Sequence, residues 1–327
     1  MNRSRRGLRL RDFLKKFKII IPFGGILYKE KEMQKFYLEN MNLKITINQL
    51  GAEVSSIFSK ENGNEYLWNA DERYWKRSAP VLFPIVGSLK NERVTVDGQD
   101  YYMSQHGFAR DLEFKMIKQA DGKRIIFRLE SDEDTLSRYP YKFALEIEYI
   151  LDGYKLKTIW RVINTDDKTI NFQIGGHPAF MCPLKKKGGK QQDYFLNFDT
   201  DKDLVYSLLS SNGLVESEGN VLKNDGGLVP IDEHMFDKDA LIFENSQANK
   251  VSLCTPDGMS YISVGFNAPL FGLWSPAGKG APFICIEPWF GRADKETFEG
   301  DITDRDYNNS LAPGETFTAE FFIEIEN

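Results

Sequence analysis

Hydrophobic and polar residues alternate along much of the chain after Met41, and a period of two is typical of half-buried strands. Residues 43–48, Leu-Lys-Ile-Thr-Ile-Asn, show the alternation first. Residues 145–151 repeat it, and the C-terminal segment 317–325 has an apolar residue at every second position. The pattern therefore predicts strands near both ends of this region and in its middle.

Asp-Gly pairs stand between several of the predicted strands, and such pairs favour tight hairpin turns. Asp97-Gly98 and Asp152-Gly153 each lie between two alternating segments, and residues 123–130 form another predicted strand after a third pair. Helical periodicity is limited to single turns near residues 70–76, 132–138 and 232–237. Many strands at short spacing predict an all-β fold, a large antiparallel sandwich or barrel.

The N-terminal stretch differs in composition from the rest of the chain. Residues 1–18 carry eight Lys or Arg residues against one acid, Asp12. The apolar run that follows, residues 19–23, is too short to span a bilayer and lacks a convincing cleavage site. An alternative is a basic amphipathic arm that touches anionic membrane, but we expect no stable membrane association.

We therefore predict a boundary near residue 41. Residues 1–40 are expected to be a basic extension outside the fold, with a native start at Met33 or Met41. Residues 41–327 are expected to form one β-sandwich domain, because no linker rich in Pro, Gly or Ser divides them.

Composition narrows the class of protein. Of 327 residues, 41% are hydrophobic and 28% are charged, which describes a globular chain with ample core. A net charge of −6 argues against nucleic acid as the main partner. Three widely spaced cysteines without a CxxC pair exclude a disulfide framework and favour a reducing, cytoplasmic setting.

Two of the three histidines lie in segments rich in glycine and aromatic residues. His177 follows Gly175-Gly176, which permit backbone conformations closed to other residues, and precedes Pro178, which fixes the chain after it. His106 precedes Gly107, and Arg110 follows on the same surface. Imidazole moves protons near neutral pH, so both are candidate catalytic residues. The alternatives are a strand-end turn for His177 and a buried, backbone-bonded histidine for His106.

Two carboxylates complete the candidate chemistry. Glu287 ends the apolar segment 283–286, where a carboxylate is costly unless it is paired or used. Desolvation there would raise its pKa toward that of a useful base. The alternative is a structural salt bridge to Arg292. Asp239 precedes a second apolar segment and is equally compatible with a turn or N-cap.

Other chemistries fit less well. G-x-S-x-G, Walker A, G-x-G-x-x-G and H-E-x-x-H motifs are absent from the sequence. The wide gap between His106 and His177 does not match ordinary metal-ligand spacing. We therefore expect neither a metal nor another cofactor.

At these residues the chain resembles the aldose 1-epimerase (galactose mutarotase) family, and in particular its LacX-like branch. The resemblance covers roughly residues 41–327. The matching segments occur in the expected order and are residues 79–87 (Ala-Pro-Val-Leu-Phe-Pro-Ile-Val-Gly), 105–110 (Gln-His-Gly-Phe-Ala-Arg), 176–180 (Gly-His-Pro-Ala-Phe) and 286–289 (Ile-Glu-Pro-Trp).

The resemblance implies a large antiparallel β-sandwich that interconverts the α and β anomers of a free aldose without a cofactor. It implies that Glu287 is the base that takes the O1 proton and that His177 is the acid that protonates the ring oxygen. It gives His106 an assisting role and makes Asp239 the carboxylate that binds sugar hydroxyls. Phe108, Phe180 and Trp274 are the candidate apolar walls for the sugar, with core packing as the alternative for each.

The chain departs from the family at one substrate-binding position, where the family arginine is replaced by Ser88. Lys90 or Arg110 are the candidate replacements, and with Arg77 they are also candidate phosphate contacts. Two alternative functions therefore stay open: a hexose-6-phosphate mutarotase, and a non-catalytic sugar-binding protein on the same scaffold. We expect a monomer or homodimer.

Overall fold

The computed structural model describes residues 34–224 and 226–326, and strands dominate both ranges. In chain order the strands are β1 (Lys35–Glu39), β2 (Leu43–Asn48), β3 (Val54–Ser59), β4 (Val81–Leu82), β5 (Arg93–Val96), β6 (Gln99–Tyr102), β7 (Lys115–Ala120), β8 (Arg124–Glu130), β9 (Phe143–Asp152), β10 (Lys155–Asn164), β11 (Ile170–Phe172), β12 (Ile174–Gly176), β13 (Ala179–Met181), β14 (Phe195–Phe198), β15 (Leu204–Leu209), β16 (Val215–Leu222), β17 (Leu228–Pro230), β18 (Leu241–Phe243), β19 (Lys250–Cys254), β20 (Ser260–Phe266), β21 (Leu270–Trp274), β22 (Phe283–Phe290), β23 (Asn309–Leu311) and β24 (Thr316–Ile325).

Helical structure is confined to short segments in the described ranges. They are the α-helix α1 (Glu133–Leu136) and the 3₁₀ turns Lys90–Glu92, Ala109–Asp111, Gln191–Asp193 and Ile302–Asp304. Among the described residues, no helix has the length and apolar character that crossing a membrane requires.

Two large antiparallel sheets form the body of the fold. The nine-stranded sheet has the order β17-β14-β19-β20-β24-β10-β9-β8-β7, and the eight-stranded sheet contains β16-β15-β18-β21-β22-β12-β4, with β13 also paired to β22. Strands β1, β2 and β3 form a third, smaller sheet. The all-β antiparallel fold predicted from the alternation is confirmed.

The main hydrophobic core lies between the two large sheets. Trp160 and Phe321 of the nine-stranded sheet and Ile284 and Ile286 of β22 belong to the same buried cluster. Successive side chains of a strand point to opposite faces. The other side chains of β22 therefore lie on the outer face of the eight-stranded sheet, where two smaller apolar clusters are found.

The predicted hairpins form where the Asp-Gly pairs stand. Val96 pairs with Gln99, so the β5–β6 loop is Asp97-Gly98, and both loop residues have positive φ (51° and 77°). This backbone matches the twist of a two-residue hairpin, and asparagine, aspartate and glycine are the residues that tolerate it. The second predicted hairpin, β9–β10, turns at Gly153.

The predicted boundary at residue 41 is wrong by one strand. Residues 35–39 pair with β2 from Lys35↔Asn48 to Glu39↔Lys44. Leu38 is fully buried, and Phe36 packs against the main core, so β1 belongs to the fold. Residues 1–33 of the predicted extension lie outside the described residues.

Candidate active site

A cavity of about 140 Å³ opens on the outer face of the eight-stranded sheet. Strand β22 supplies its floor, and the loops after β3, β6 and β17 supply its walls. The cavity is lined by Trp75, Gln105, His106, Arg110, His177, Leu209, Asp239, Ala240, Trp274, Glu287 and Trp289. All three residues predicted to be catalytic are thus brought together from distant parts of the chain.

His177 is held between aromatic rings. It follows β12, and its backbone N–H donates to the carbonyl of Pro80 (3.1 Å). The imidazole stacks on Trp75, with ring centres 4.7 Å apart, and meets the edge of Trp274. Burial, followed by the positive charge of Arg110, lowers the pKa of His177 to about 3. The imidazole is therefore neutral unless a nearby anion compensates its charge.

Glu287 faces His177 across the cavity floor. Its carboxyl is 1% exposed, and Oε2 lies 3.3 Å from His177 Nε2. Burial, followed by the charge of Asp239, raises the pKa of Glu287 well above its ordinary value. Each partner is thus pushed toward its neutral form, and only a proton transfer between them creates charge.

His106 is fixed as one tautomer. Its Nδ1 accepts a hydrogen bond from the backbone N–H of Gly87 (3.0 Å), which leaves the proton on Nε2. Burial and the charge of Arg110 hold the pKa of His106 well below its ordinary value. His106 is therefore buried and bonded to the backbone, as the alternative interpretation of the sequence predicted. The residue also lines the cavity. A neutral imidazole in this state donates a hydrogen bond from Nε2.

Arg110 lies at the edge of the cavity and is largely buried. Its Nη2 donates to the carbonyl of Gln105 (2.6 Å), and burial lowers its pKa to about 10. Arg77 is close enough to oppose its charge and is itself paired with Asp111 (2.7 Å). Glu53, which accepts bonds from the backbone N–H groups of residues 78 and 79, partly balances the two arginines.

Asp239 and Trp274 line the cavity as predicted. Asp239 has φ +70° and accepts a hydrogen bond from the backbone N–H of Ala240 (2.7 Å), so it is also the turn residue of the alternative prediction. Its side chain is exposed at the cavity mouth. Trp274 ends β21 and stands edge-on to His177.

Several predicted contacts are corrected by the structure. Phe180 is fully buried, and Phe108 is 2% exposed; both belong to the core and not to the cavity lining. Lys90 also lies outside the lining, because Nζ binds Glu299 (2.5 Å) and the carbonyl of Phe298. Ser88 is likewise absent from the described lining.

The alternative salt bridge between Glu287 and Arg292 is wrong. Arg292 binds Glu244 (3.2 Å) and Asp306 (2.6 Å) instead. These three residues line a second, wider cavity of about 980 Å³ at the far end of the same sheet. The side chains of that cavity are largely bonded to one another, and neither His106 nor His177 lines it.

Five of the cavity residues were missed by the sequence analysis: Trp75, Gln105, Leu209, Ala240 and Trp289. Trp289 could have been predicted from the sequence, because it lies two positions after Glu287 on one strand and must share the same face of the sheet. Trp75 had no such signal, since the single predicted turn at residues 70–76 does not indicate which side chain faces a cavity.

Five of the twelve buried polar side-chain atoms that lack a hydrogen-bond partner in the described ranges lie at this cavity. Within the described residues they include Nδ1 of His177, both carboxylate oxygens of Glu287, Nε1 of Trp289 and Nε of Arg110. Unpaired buried polar groups are costly and rare, so their convergence on one cavity is typical of a site that binds a polar ligand.

His177, Cys285 and Glu287 place potential metal ligands within 4.8 Å of one another. A metal would require the Cys285 thiolate, whereas burial raises the pKa of this thiol well above its ordinary value. Cys285 and the other two cysteines are buried and carry free thiols. The trio is therefore a poor ligand set near neutral pH.

Comparison with known proteins assigns the class of protein that this fold and cavity define. The sequence model of the family described as aldose 1-epimerase matches residues 34–321, and the chain belongs to that family. The match begins at β1, in agreement with the structure.

Bacterial proteins are similar to the chain along most of its length. The chain is 32% identical over 300 residues to the chromosomal protein LacX of Lactococcus lactis, covering 89% of this chain and 99% of LacX. A galactose mutarotase related enzyme from Lactobacillus acidophilus is 33% identical, with a TM-score of 0.84 and coverage of 90% and 98%. A galactose mutarotase-like protein from Lactobacillus casei is 28% identical, with a TM-score of 0.82 and coverage of 90% and 100%.

Proposed function

We propose that the protein is an aldose 1-epimerase that interconverts the α and β anomers of a hexose. The observation that carries the proposal is the buried pair of His177 and Glu287, 3.3 Å apart in a cavity where both Glu287 oxygens and His177 Nδ1 lack a hydrogen-bond partner among the described residues. Family membership supports the same reaction class. The residue roles below are part of the proposal.

The reaction opens the sugar ring with one base and one acid. The Glu287 carboxylate takes the proton of the O1 hydroxyl, the C1–O1 bond becomes a carbonyl, and the C1–O5 bond breaks. The electron pair of that bond goes to O5, which receives a proton from His177. Rotation about C1–C2 turns the other face of the aldehyde to O5, and the reverse steps close the ring. Each positioned transfer contributes about 10²–10⁴-fold to the rate.

The proposed reaction leaves the number of protons on the His177–Glu287 pair unchanged, which is compatible with the burial of both side chains. The reactive form is carboxylate plus imidazolium, and ring opening converts it to carboxylic acid plus neutral imidazole. Both forms hold the same number of protons, so no proton exchange with solvent is needed during turnover. The pair therefore titrates as a unit, and the reactive form is a tautomer of the neutral one.

The remaining cavity residues orient the sugar in this proposal. His106 donates from Nε2 toward the ring oxygen or a neighbouring hydroxyl, and Asp239 accepts from hydroxyls at the mouth. Trp75 and Trp274 flank His177 and present aromatic surface to the apolar face of a sugar. Burial of three free thiols suits a reducing compartment, so we place the reaction in the cytoplasm.

A second candidate substrate is a hexose 6-phosphate. Arg110 supports it, because its Nε is buried without a hydrogen-bond partner in the described part of the chain, although Asp111 lies 4.0 Å away, and Arg77 adds positive charge beside it. Arginine suits phosphate through charge-assisted hydrogen bonds. Lys90 no longer supports this candidate, since its Nζ is bonded elsewhere.

Nuclear magnetic resonance of freshly dissolved α-D-glucose, α-D-galactose and glucose 6-phosphate tests the proposal. We expect the native protein to accelerate conversion to the β anomer, with a loss of about 10²–10⁴-fold in Glu287→Gln and in His177→Asn. A preference for the phosphate that is abolished in Arg110→Met would select the second candidate. A folded protein that binds sugars without acceleration would instead be a carbohydrate-binding protein on this scaffold.

A further inference from the structure

Trp289 has an unusual position for a buried indole. The side chain is 4% exposed and forms part of the cavity lining beside Glu287. Its Nε1–H has no hydrogen-bond partner among the residues that the structure describes. Buried tryptophan normally finds a partner for this group, so a donor left free at a polar cavity indicates a use there.

Two glycines make room for the ring. A Cβ at Gly272 of β21 would lie 2.7 Å from Cη2 of the indole, and one at Gly175 of β12 would lie 2.7 Å from Cδ1. Neither glycine has the positive φ that would by itself explain its presence. Any larger residue on either neighbouring strand would displace the ring, so the two strands fix the plane of the indole.

The strand then directs this ring toward the catalytic carboxyl. Glu287 and Trp289 are two residues apart on β22 and share one face of the sheet. Pro288 between them restricts the backbone. Both carboxylate oxygens lack a hydrogen-bond partner within the described ranges. The indole lies near enough to lower the pKa of Glu287 against the effect of burial, although the two side chains as placed do not meet hydrogen-bond geometry.

We propose that Trp289 is a positioning residue whose indole N–H supports the carboxylate of Glu287 whenever that group is ionised, in the free protein as well as with sugar bound. The inference rests on the proposed epimerase function. The donor stabilises the charged form of the base in a cavity that otherwise disfavours charge, and the two glycines hold it in place.

The substitution Trp289→Phe tests this role, because phenylalanine keeps an aromatic ring and removes the donor. Loss of a hydrogen bond to a charged group raises the pKa of the carboxyl and lowers the fraction of the reactive tautomer. We expect kcat/KM to fall about tenfold on the plateau of its pH profile and the alkaline limb to move up by about one pH unit. A residue with a merely structural role would lower the rate without moving the limb.

A second readout does not depend on activity. The Glu287 carboxyl can be titrated by ¹³C NMR in the free protein, with its signal assigned by its absence in Glu287→Gln. We expect a higher midpoint in Trp289→Phe and an unchanged one in Trp160→Phe, which removes part of a buried indole from the opposite sheet. If Trp289→Phe fails to fold, β-(3-benzothienyl)alanine at this position keeps the ring shape and removes only the N–H.

The outcomes separate the two proposals. An upward shift of the limb and of the Glu287 midpoint supports the role of Trp289. An unmoved midpoint, or a change confined to KM, overturns it even if activity falls. A native protein that is inactive on every sugar overturns the epimerase function, and the Glu287 titration still decides the role of the indole.

Discussion

The His177–Glu287 pair lies where neither charge is favoured. Burial lowers the pKa of the imidazole to about 3 and raises that of the carboxyl well above its ordinary value. A charge on one partner is compensated only by the other, 3.3 Å away. Under the proposed mechanism, reactivity and instability have the same origin, because the groups assigned to proton transfer are also the groups that burial penalises.

The first expectation concerns stability. Glu287 keeps its proton in the folded protein up to its raised pKa, whereas the unfolded chain loses it near the ordinary value of 4.5. The contribution to stability is therefore complete below pH 4.5 and is lost as pH rises toward the folded pKa, by about 1.4 kcal/mol for each unit between the two values.

Glu287→Gln removes this dependence. We expect its free energy of unfolding at pH 8 to exceed that of the native protein, with the difference shrinking as pH falls to 4.5. Denaturant melts over this pH range measure it, with the exposed Glu72→Gln as control. A destabilised Glu287→Gln with no dependence on pH would show that the carboxyl is not strained by burial.

The second expectation concerns pH and rate. In the reactive state, Glu287 and His177 together hold one acidic proton, which lies either on the carboxyl or on the imidazole. Adding a proton to His177 ends activity at low pH, and removing the proton from Glu287 ends it at high pH. We expect a bell-shaped kcat/KM profile with its acid limb far below pH 6.5 and its alkaline limb far above pH 4.5. An acid limb near pH 6.5 would mean that the imidazole titrates as an exposed one.

Strand β22 organises the site at the scale of secondary structure. Ile284 and Ile286 point between the sheets, while Glu287 and Trp289 point into the cavity on the outer face. The short strand β12 ends at Gly176 and delivers His177 beside them. Side chains on one face of β22 thus pack in the core, and side chains on its other face line the cavity.

Hairpins and strands were largely predictable because their signals are local. Asp97-Gly98 needs no distant contact to specify its turn, and the β24 alternation reports its own buried face. The direction of a side chain in a short, buried strand is not local. Phe180 was predicted to contact sugar, yet only pairing with β22 decides that it faces the core. Lys90 failed for a similar reason, since its partner Glu299 is 209 residues away.

Strand β1 provides the expectation at this scale. Removing residues 1–33 leaves β1 paired with β2, whereas removing residues 1–40 unpairs that edge and exposes the apolar side of β2. We expect the shorter deletion to keep the melting temperature of the full chain and the longer one to lower it or cause aggregation. Calorimetry and size-exclusion chromatography compare them. Equal behaviour of the two deletions would show that β1 contributes nothing to the fold.

At the scale of the whole molecule, the hydrophobic core and the candidate active site lie on different faces of the eight-stranded sheet. The core between the large sheets is apolar, whereas the cavity on the outer face of one sheet holds five buried polar atoms that lack a hydrogen-bond partner among the described residues. The residues that form the cavity span the chain from Trp75 to Trp289, so only the complete sandwich assembles it. The motifs predicted the residues to which we assign proton transfer, and Trp274 was predicted as an aromatic wall, but Trp75 and Trp289 were found only in the assembled structure.

Magnetisation exchange between the C1 signals of α- and β-D-glucose at equilibrium in D₂O is the most direct measurement. The proposed mechanism breaks only O–H and C–O bonds, so it predicts exchange cross-peaks with the native protein, none above background with Glu287→Gln, and no deuterium at C1 or C2. The same result is expected for whichever hexose or hexose phosphate is the substrate. Deuterium at either carbon, or exchange that persists in Glu287→Gln, would contradict ring opening by this acid–base pair.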